Sequence, residues 1–199
     1  MATVTAAQVK ELRDLTSAGM MDCRNALKEC DGDVKKAQEW LRRKGMAKAE
    51  TKASRTAAEG RVGCYMHHTG KVGVLVELYC ETDFVAKTEE FQNLLKDICL
   101  QVASMNPIYV SREQVPADFI ESEIAGYKKN AIENGKPEQI AEKIAKGQVD
   151  SFLKEKVLLD QPFVKDNDVT IGDKIKQVIG KLGENIVVKR FCRMAVGEE

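Results

Sequence analysis

Apolar residues recur every three or four positions through residues 1–45, and this spacing predicts three short helices. Thr5 and Gln8 have the spacing of a capping box, which would begin the first helix. Asp33 is placed to cap the third helix, and Gly45 is expected to end it. The apolar faces of the three helices carry Val9, Leu12, Leu15, Ala26, Leu27, Val34, Ala37, Trp40 and Leu41.

The pattern changes over residues 46–59, where small and charged residues replace the large apolar ones. This composition predicts a linker or a lone solvated helix, with a basic balance of charge. We therefore expect an N-terminal domain over residues 1–45, a linker over 46–59 and a core domain over 60–199.

Alternating apolar residues then predict strands. Residues 62–66 alternate up to a turn at 67–71, and residues 72–79 continue as a second strand rich in Val and Leu, as expected for a hairpin. Residues 186–196 are expected to form a last strand. Between them, a long amphipathic helix is expected to run to about Met105. A very short strand at 108–110 would raise the number of strands from three to four.

Residues 116–158 show no strand pattern. Two helical stretches, at about 117–133 and 137–157, flank Gly135 and Pro137, which favours an antiparallel helical hairpin that protrudes from the core. A further helix is expected over residues 170–181. The predicted fold class is α+β, with a three-helix N-terminal bundle, a small antiparallel sheet carrying helices on one face, and this hairpin.

Charge and hydropathy exclude several classes of function. The 199 residues carry no net charge, although 31% are charged, so no overall field favours nucleic acid or an anionic membrane. No apolar run is long enough to span a bilayer, and the first residues lack the apolar stretch of a signal peptide. We therefore expect a cytoplasmic protein with no membrane and no direct nucleic-acid partner.

The sequence offers little catalytic chemistry. The six cysteines are scattered, as expected for small apolar residues in a reducing compartment, although Cys192 lies in a candidate edge strand that a symmetric partner could meet. The adjacent His67 and His68 suit a solvated turn better than a metal site or a catalytic base. The phosphate-binding motifs of nucleotide-binding proteins do not occur. We therefore expect no enzyme activity, no cofactor and no bound metal.

The segment Thr82-Asp83-Phe84-Val85 is unusual, because a polar pair precedes a large aromatic residue where a strand meets a helix. Two interpretations are open. Asp83 could cap the helix while Phe84 packs beneath it. Alternatively, Phe84 projects as a rigid anchor for a partner, and Asp83 holds the helix end or reaches that partner.

Several motifs, in order along the chain, resemble the bacterial elongation factor Ts family, whose members are guanine-nucleotide exchange factors for elongation factor Tu. Two residues depart from the family: Tyr79 stands where Asn is usual, and Arg24 stands where Lys is usual, which keeps the charge. The matching stretches are Leu12–Leu27, Asp31–Arg42, Glu77–Lys87, Gly135–Pro137, Gln161–Val164 and Leu182–Ile186.

The resemblance implies a ubiquitin-associated-like N-terminal bundle and the short form of the family, with one core subdomain. It implies binding to elongation factor Tu, both with GDP and without nucleotide. Asp83 and Phe84, flanked by Thr82 and Val85, are expected to push between two helices of that partner, disturbing its magnesium site and its hold on the β-phosphate. Short members can form homodimers through the core sheet, for which residues 186–196 are the candidate edge.

The resemblance also implies contacts outside that segment. Arg13, Met20 and Met21 are expected to touch a helix of the partner's nucleotide domain, and Arg24 belongs to the same surface. Met20 and Met21 follow a break at residues 17–19, so at least one can be exposed, although core packing is the alternative for either. By the same resemblance, Leu182 and Gly183 are expected to contact the partner near the Phe84 segment, and His67 is expected to contact another domain of the partner.

Two other classes of function stay open on the sequence alone. The N-terminal bundle could be a binding module for a ubiquitin-like protein or a nascent chain, which predicts no effect on nucleotide release. Alternatively, the basic residues 46–59 could contact RNA, which predicts strongly salt-dependent binding.

Overall fold

The computed structural model describes residues 4–16 and 18–198. It forms two compact units that each combine separate stretches of the chain. The first consists of Met1–Arg61, Leu78–Leu94 and Asp173–Val187, and the second of Val62–Glu77, Leu95–Gly172 and Val188–Glu199. The expected α+β class is confirmed, whereas the division at residues 45 and 59 stays a prediction.

Three helices begin the first unit, as predicted. They are α1 (Ala6–Thr16), α2 (Met20–Glu29) and α3 (Val34–Glu50). The capping box is confirmed, because the Thr5 amide donates to Gln8 Oε1 at 3.0 Å and the Gln8 amide donates to Thr5 Oγ1 at 3.3 Å. Their shared core consists of Val9, Leu12, Cys23, Ala26, Leu27 and Ala37, with Trp40 and Leu41 packed against it.

The third helix differs from its prediction at the C-terminal end. Asp33 caps it as expected, accepting a hydrogen bond from the Lys36 amide at 3.0 Å. The stop at Gly45 is wrong, because α3 continues to Glu50 and buries Ala49. A glycine costs a helix only about 1 kcal/mol, which packing offsets here. Residues 46–50 of the expected linker are therefore helical. Ser17, in the expected break, lies outside the described residues.

A three-stranded antiparallel sheet has the order β1 (Glu59–Met66), β2 (Val72–Cys80), β5 (Val187–Ala195). On β2 every second residue is buried, namely Val74, Val76, Leu78 and Cys80, so one face of the sheet is covered. Residues 108–110 add no strand to this sheet, since Tyr109 makes only an isolated parallel bridge with Val157. The three-strand alternative is therefore the observed one.

The long helix after β2 is α5 (Glu89–Met105), and the predicted helical hairpin is α6 (Ala117–Glu133) with α7 (Glu138–Lys156). Gly135 makes the reversal with φ +77°, a conformation that favours glycine. Buried residues at the base of the hairpin are Val115, Val149, Leu153 and Val157.

The chain then forms a small two-stranded sheet that was not predicted from its sequence pattern. Strands β3 (Pro162–Phe163) and β4 (Asp166–Thr170) pair antiparallel, and α8 (Ile171–Leu182) follows. Within the described residues, no helix combines the length and the apolar character needed to cross a membrane.

Candidate functional site

A single helical turn follows β2 and carries the segment that stood out in the sequence. This turn, α4, spans Asp83–Ala86, and Thr82 caps it from an extended conformation (φ −130°, ψ 155°). The Thr82 hydroxyl accepts a hydrogen bond from the Val85 amide at 3.4 Å. Val85 and Ala86 are buried and fix the turn to the protein. The cap is therefore Thr82, and the interpretation of Asp83 as the cap is wrong.

Phe84 projects from this turn into solvent. It is 78% exposed, the highest value among the exposed large apolar residues of the part of the chain that the structure describes. The interpretation in which Phe84 packs beneath the helix is therefore wrong, since Val85 and Ala86 occupy the buried side. Burying a phenylalanine typically contributes about 1.5–3 kcal/mol, which the isolated chain forgoes here. A surface that covers this ring would recover that contribution.

The Asp83 carboxylate, next to the Phe84 ring, forms an ion pair with Lys87. Lys87 Nζ donates to Asp83 Oδ2 at 2.6 Å, and it also lies 5.8 Å from the centroid of the Phe84 ring. This lysine lowers the pKa of Asp83 below its ordinary value, mainly by the hydrogen bond. Asp83 is therefore ionised at neutral pH and presents a negative charge next to an exposed aromatic side chain.

Glu184 lies against the beginning of the same turn. Its carboxylate accepts hydrogen bonds from the backbone amides of Glu81 and Thr82 and from the Thr82 hydroxyl. No role for Glu184 was predicted, although the matching stretch Leu182–Ile186 contains it. Its position directly after Leu182 and Gly183 was the only signal available, and nothing local reveals a partner so distant in sequence.

The residues expected on the N-terminal helices lie at the surface. Met20 is 48% exposed and Met21 is 66% exposed, so core packing accounts for neither. Arg13, in the last turn of α1, and Arg24, on α2, are also exposed. Exposed methionines form an adaptable apolar contact surface, and the two arginines add positive charge to these helices.

The remaining expected residues lie in different units. Leu182 and Gly183 are in the first unit, where Gly183 ends α8 with φ +82° and its carbonyl accepts a hydrogen bond from Lys52. His67 is in the second unit, where its Nδ1 lies 2.8 Å from Thr69 Oγ1 and its ring centroid lies 4.2 Å from that of His68, with the two rings tilted by 44°. The first unit thus contains all of the expected contact residues except His67.

A groove of about 810 Å³ also lies within the first unit, between the α1–α2 connection, α3 and α8. Asp22 on one wall accepts hydrogen bonds from Lys44 and Lys48, each at 3.1 Å. Six basic and two acidic residues line the groove, which gives it a positive balance of charge that complements an acidic surface. These are Lys35, Arg42, Lys44, Lys48, Lys52, Lys181, Asp22 and Glu39.

Over residues 4–16 and 18–198, no cluster of three or more His, Cys, Asp or Glu side chains has an arrangement that could hold a metal ion. The polar groups described above instead bind one another. What the site presents outward is apolar and charged surface, which is the chemistry of protein recognition.

Comparisons with known proteins agree with the resemblance. The family model described as "Elongation factor TS" matches residues 2–198. A protein named "Elongation factor Ts" from Solidesulfovibrio magneticus is 51% identical over 199 residues, covering all of both chains. A second, from Oleidesulfovibrio alaskensis, is 52% identical over 197 residues and is covered completely. A third, from Prochlorococcus marinus, is 55% identical over 199 residues, which cover 91% of its length.

Proposed function

The chain belongs to the elongation factor Ts family, and on that premise we propose that it binds elongation factor Tu carrying GDP and promotes release of the GDP, so that GTP can replace it. One observation supports this proposal above the others. Phe84 is 78% exposed on a turn whose next two residues are buried, so an apolar ring is held outward on a fixed base. Such a side chain is suited to enter a neighbouring protein.

In the proposed mechanism, Phe84 and the ionised Asp83 enter the partner between two helices near its magnesium ion. The inserted ring displaces groups that hold the metal, and the partner's grip on the β-phosphate loosens. The chain itself makes and breaks no covalent bond in this role, so it is not an enzyme. The coupling is reciprocal: by whatever factor this protein weakens GDP binding, GDP weakens the binding of this protein.

The energetics require more than one contact. Burial of Phe84 contributes about 1.5–3 kcal/mol, whereas a shift in affinity of about 10⁴-fold needs about 5.5 kcal/mol. Other surfaces must therefore bind the nucleotide-free partner more tightly. We assign this part to Met20, Met21, Arg13 and Arg24 on the N-terminal helices, with Leu182 and Gly183 beside the turn. His67, in the second unit, is assigned to a separate contact with another domain of the partner.

We also propose a homodimer that forms through the outer face of the sheet. Met66 Cε lies 3.3 Å from the point that a Cβ on Gly73 would occupy, so both residues share a face, and Leu75 follows by alternation. Arg190 donates to Glu77 at 2.5 Å, which places alternate residues of β5 on that face too. This outer face exposes Val62, Cys64, Met66, Leu75, Cys192 and Met194.

An apolar face of this kind supports burial against a second copy. Sedimentation equilibrium is expected to find a dimer, and Leu75→Glu is expected to yield monomers because it places charge at the centre of the face. Ile140→Glu, at an apolar residue of α7 that is 50% exposed, serves as the control and should leave the dimer intact. A monomer at all concentrations in the unaltered protein would contradict the proposal.

Release of a fluorescent GDP from elongation factor Tu, followed by stopped-flow fluorescence, tests the exchange function. Substoichiometric amounts of this chain are expected to accelerate release by much more than tenfold and to turn over repeatedly. Tight binding without acceleration would instead favour a pure binding module. Salt-dependent binding to RNA would favour contact through the basic residues 46–59 and would contradict our expectation of no nucleic-acid partner. We infer a cytoplasmic location because elongation factor Tu acts in translation.

A further inference from the structure

We propose that Glu184 is a positioning residue that orients the Thr82–Phe84 turn for insertion, an inference that rests on the proposed exchange function. Glu184 itself is half-buried, while the ring that it positions is exposed. It acts through the backbone and the cap of the turn rather than by touching the partner's nucleotide site.

The Glu184 carboxylate accepts three hydrogen bonds from two successive residues. Glu184 Oε2 accepts from the amides of Glu81 at 3.2 Å and Thr82 at 3.0 Å. Glu184 Oε1 accepts from the Thr82 hydroxyl at 2.7 Å. Hydrogen bonds to an ionised acceptor are stronger than neutral ones. Three such bonds to two successive residues fix both the backbone and the side chain where β2 passes into α4.

Glu184 also fixes the direction of the Thr82 hydroxyl. An ionised carboxylate can only accept, so the hydroxyl hydrogen must point toward Glu184. The oxygen lone pairs are then free to accept from the Val85 amide, which lies at 3.4 Å and belongs to the first turn of α4. Glu184 therefore sets the polarity of the cap, and the cap sets the direction in which Phe84, two residues after Thr82, leaves the turn.

The segment that carries Glu184 is itself held in place by hydrogen bonds of Asn185. Glu81 Oε1 accepts from the Asn185 amide at 2.7 Å, so residues 81–82 and 184–185 exchange side-chain-to-backbone hydrogen bonds in both directions. The Asn185 side chain is buried and donates to the carbonyls of Arg55 at 2.8 Å and Ala53 at 3.3 Å. Three segments that are far apart in sequence thus meet at this one junction.

A fixed turn matters for exchange because an ordered ring loses less conformational entropy when it is inserted. Without the Glu184 carboxylate, the amides of Glu81 and Thr82 would turn toward water and the turn would sample several orientations. The N-terminal contact surface lies on other helices and would be unaffected. Loss of the Glu184 carboxylate should therefore lower the maximal rate of GDP release more than it changes the half-saturating concentration for complex formation between the two proteins.

Glu184→Gln is the principal variant. It keeps the size of the side chain but replaces one accepting oxygen with an NH₂ group, which cannot accept the hydrogen bonds that Glu81 and Thr82 donate. We expect a maximal exchange rate at least tenfold lower, with the half-saturating concentration changed less than threefold. Glu29→Gln removes an exposed carboxylate at the far end of α2 and is the matched control, which should retain the unaltered rate. An E184Q rate equal to that of the control overturns the inference.

A second set of variants keeps the inference testable if Glu184→Gln folds poorly. Thr82→Ser retains the hydroxyl and should keep most of the rate, whereas Thr82→Val removes it and should lose about as much as E184Q. Because Glu184→Gln and Thr82→Val disrupt the same hydrogen-bond network, the double variant that carries both should be no slower than the slower of the two single variants. Equal rates for the serine and valine variants, or fully multiplicative losses, would overturn the inference.

Amide hydrogen exchange separates failure of this inference from failure of the proposed function. In E184Q, we expect faster exchange at the Glu81, Thr82 and Val85 amides and unchanged protection in α5. This result does not depend on elongation factor Tu. If the unaltered protein fails to accelerate GDP release, the proposed function is wrong. If it succeeds but these amides stay protected in E184Q, the role of Glu184 is wrong.

Discussion

Gly45 in α3 and Gly180 in α8 meet at backbone contact, with the Cα of Gly45 2.8 Å from the point that a Cβ on Gly180 would occupy. The absence of a side chain at Gly180 is what allows this crossing, whereas a Cβ on Gly45 would meet no atom within 4 Å. It joins the third helix of the N-terminal bundle to the helix that leads into Leu182 and Gly183. Two of the surfaces assigned to the partner are therefore linked through one glycine pair.

Gly180→Ala is expected to lower the free energy of unfolding by about 1–3 kcal/mol, because the added methyl group meets backbone atoms that cannot turn away. Thermal and denaturant unfolding would measure this loss. Gly147→Ala is the control, since that residue lies inside α7 with no atom within 4 Å of the added Cβ. The control should gain about 0.5–1 kcal/mol. Equal stabilities for the two variants would contradict backbone contact at Gly180.

Phe84→Ala is expected to slow nucleotide exchange at least tenfold while changing the free energy of unfolding by no more than about 0.5 kcal/mol, since the ring packs on little of its own chain. Phe91→Ala provides the contrast, because Phe91 is fully buried and its loss should cost about 3–5 kcal/mol. Stopped-flow release of fluorescent GDP, with unfolding curves for both variants, checks the pair. A normal exchange rate for F84A would refute insertion of the ring.

Asp22 should make the stability of the N-terminal bundle depend on pH. Hydrogen bonds from Lys44 and Lys48 lower its pKa below the ordinary value, so the stabilisation is present above the unfolded-state pKa and is lost as the pH falls through the folded-state pKa. Asp22→Asn is expected to cost about 1 kcal/mol at pH 7, and this difference should begin to shrink near about pH 4 and vanish only below the folded-state pKa. Asp14→Asn, at an exposed position of α1, is the control.

Unfolding curves of the Asp22 and Asp14 variants between pH 3 and 7 test this dependence. The Asp22 variant should approach the unaltered protein as the pH falls. A difference that stays constant across the range would show that the ion pairs with Lys44 and Lys48 do not carry the stabilisation.

The cysteines are expected to differ widely in reactivity. Burial raises the pKa of the Cys99 thiol to about 11, so almost no thiolate forms at pH 8 and the group is also shielded from reagents. Cys64 and Cys192 are exposed on the sheet. Alkylation followed by mass spectrometry should label these two at monomeric concentrations, more slowly in the dimer, and Cys99 only after unfolding. Early labelling of Cys99 would contradict its buried position.

Local rules predicted the helical parts of this fold well. The capping box at Thr5 and the cap at Asp33 depend on residues three positions apart, so the sequence shows them directly. The end of α3 could not be predicted in this way, because its continuation past Gly45 depends on packing against Gly180. Strand β4 was missed since Asp166–Thr170 is mostly polar and lacks the apolar alternation of a strand.

In the candidate site too, local sequence patterns predicted some features, whereas others depend on residues that are distant in sequence. The Thr82–Val85 segment stood out in the sequence, yet only the structure decides that Phe84 points outward, since a strand–helix junction allows either direction. Glu184 could not be assigned because its hydrogen-bond partners are not local. A single carboxylate in a loop belongs to no local sequence pattern, so the sequence does not indicate which distant groups donate hydrogen bonds to it.

The hydrogen bonds between Thr82 and Glu184 span 102 residues of chain, which has a consequence during synthesis. At about 5–20 residues per second, a ribosome needs about 5–20 s to make the intervening stretch. Throughout that interval the nascent chain already contains Phe84 but lacks the carboxylate that orients it. A product that terminates before residue 184 would thus carry Phe84 without the carboxylate that orients it, so the turn reaches its working geometry only after Glu184 has been made.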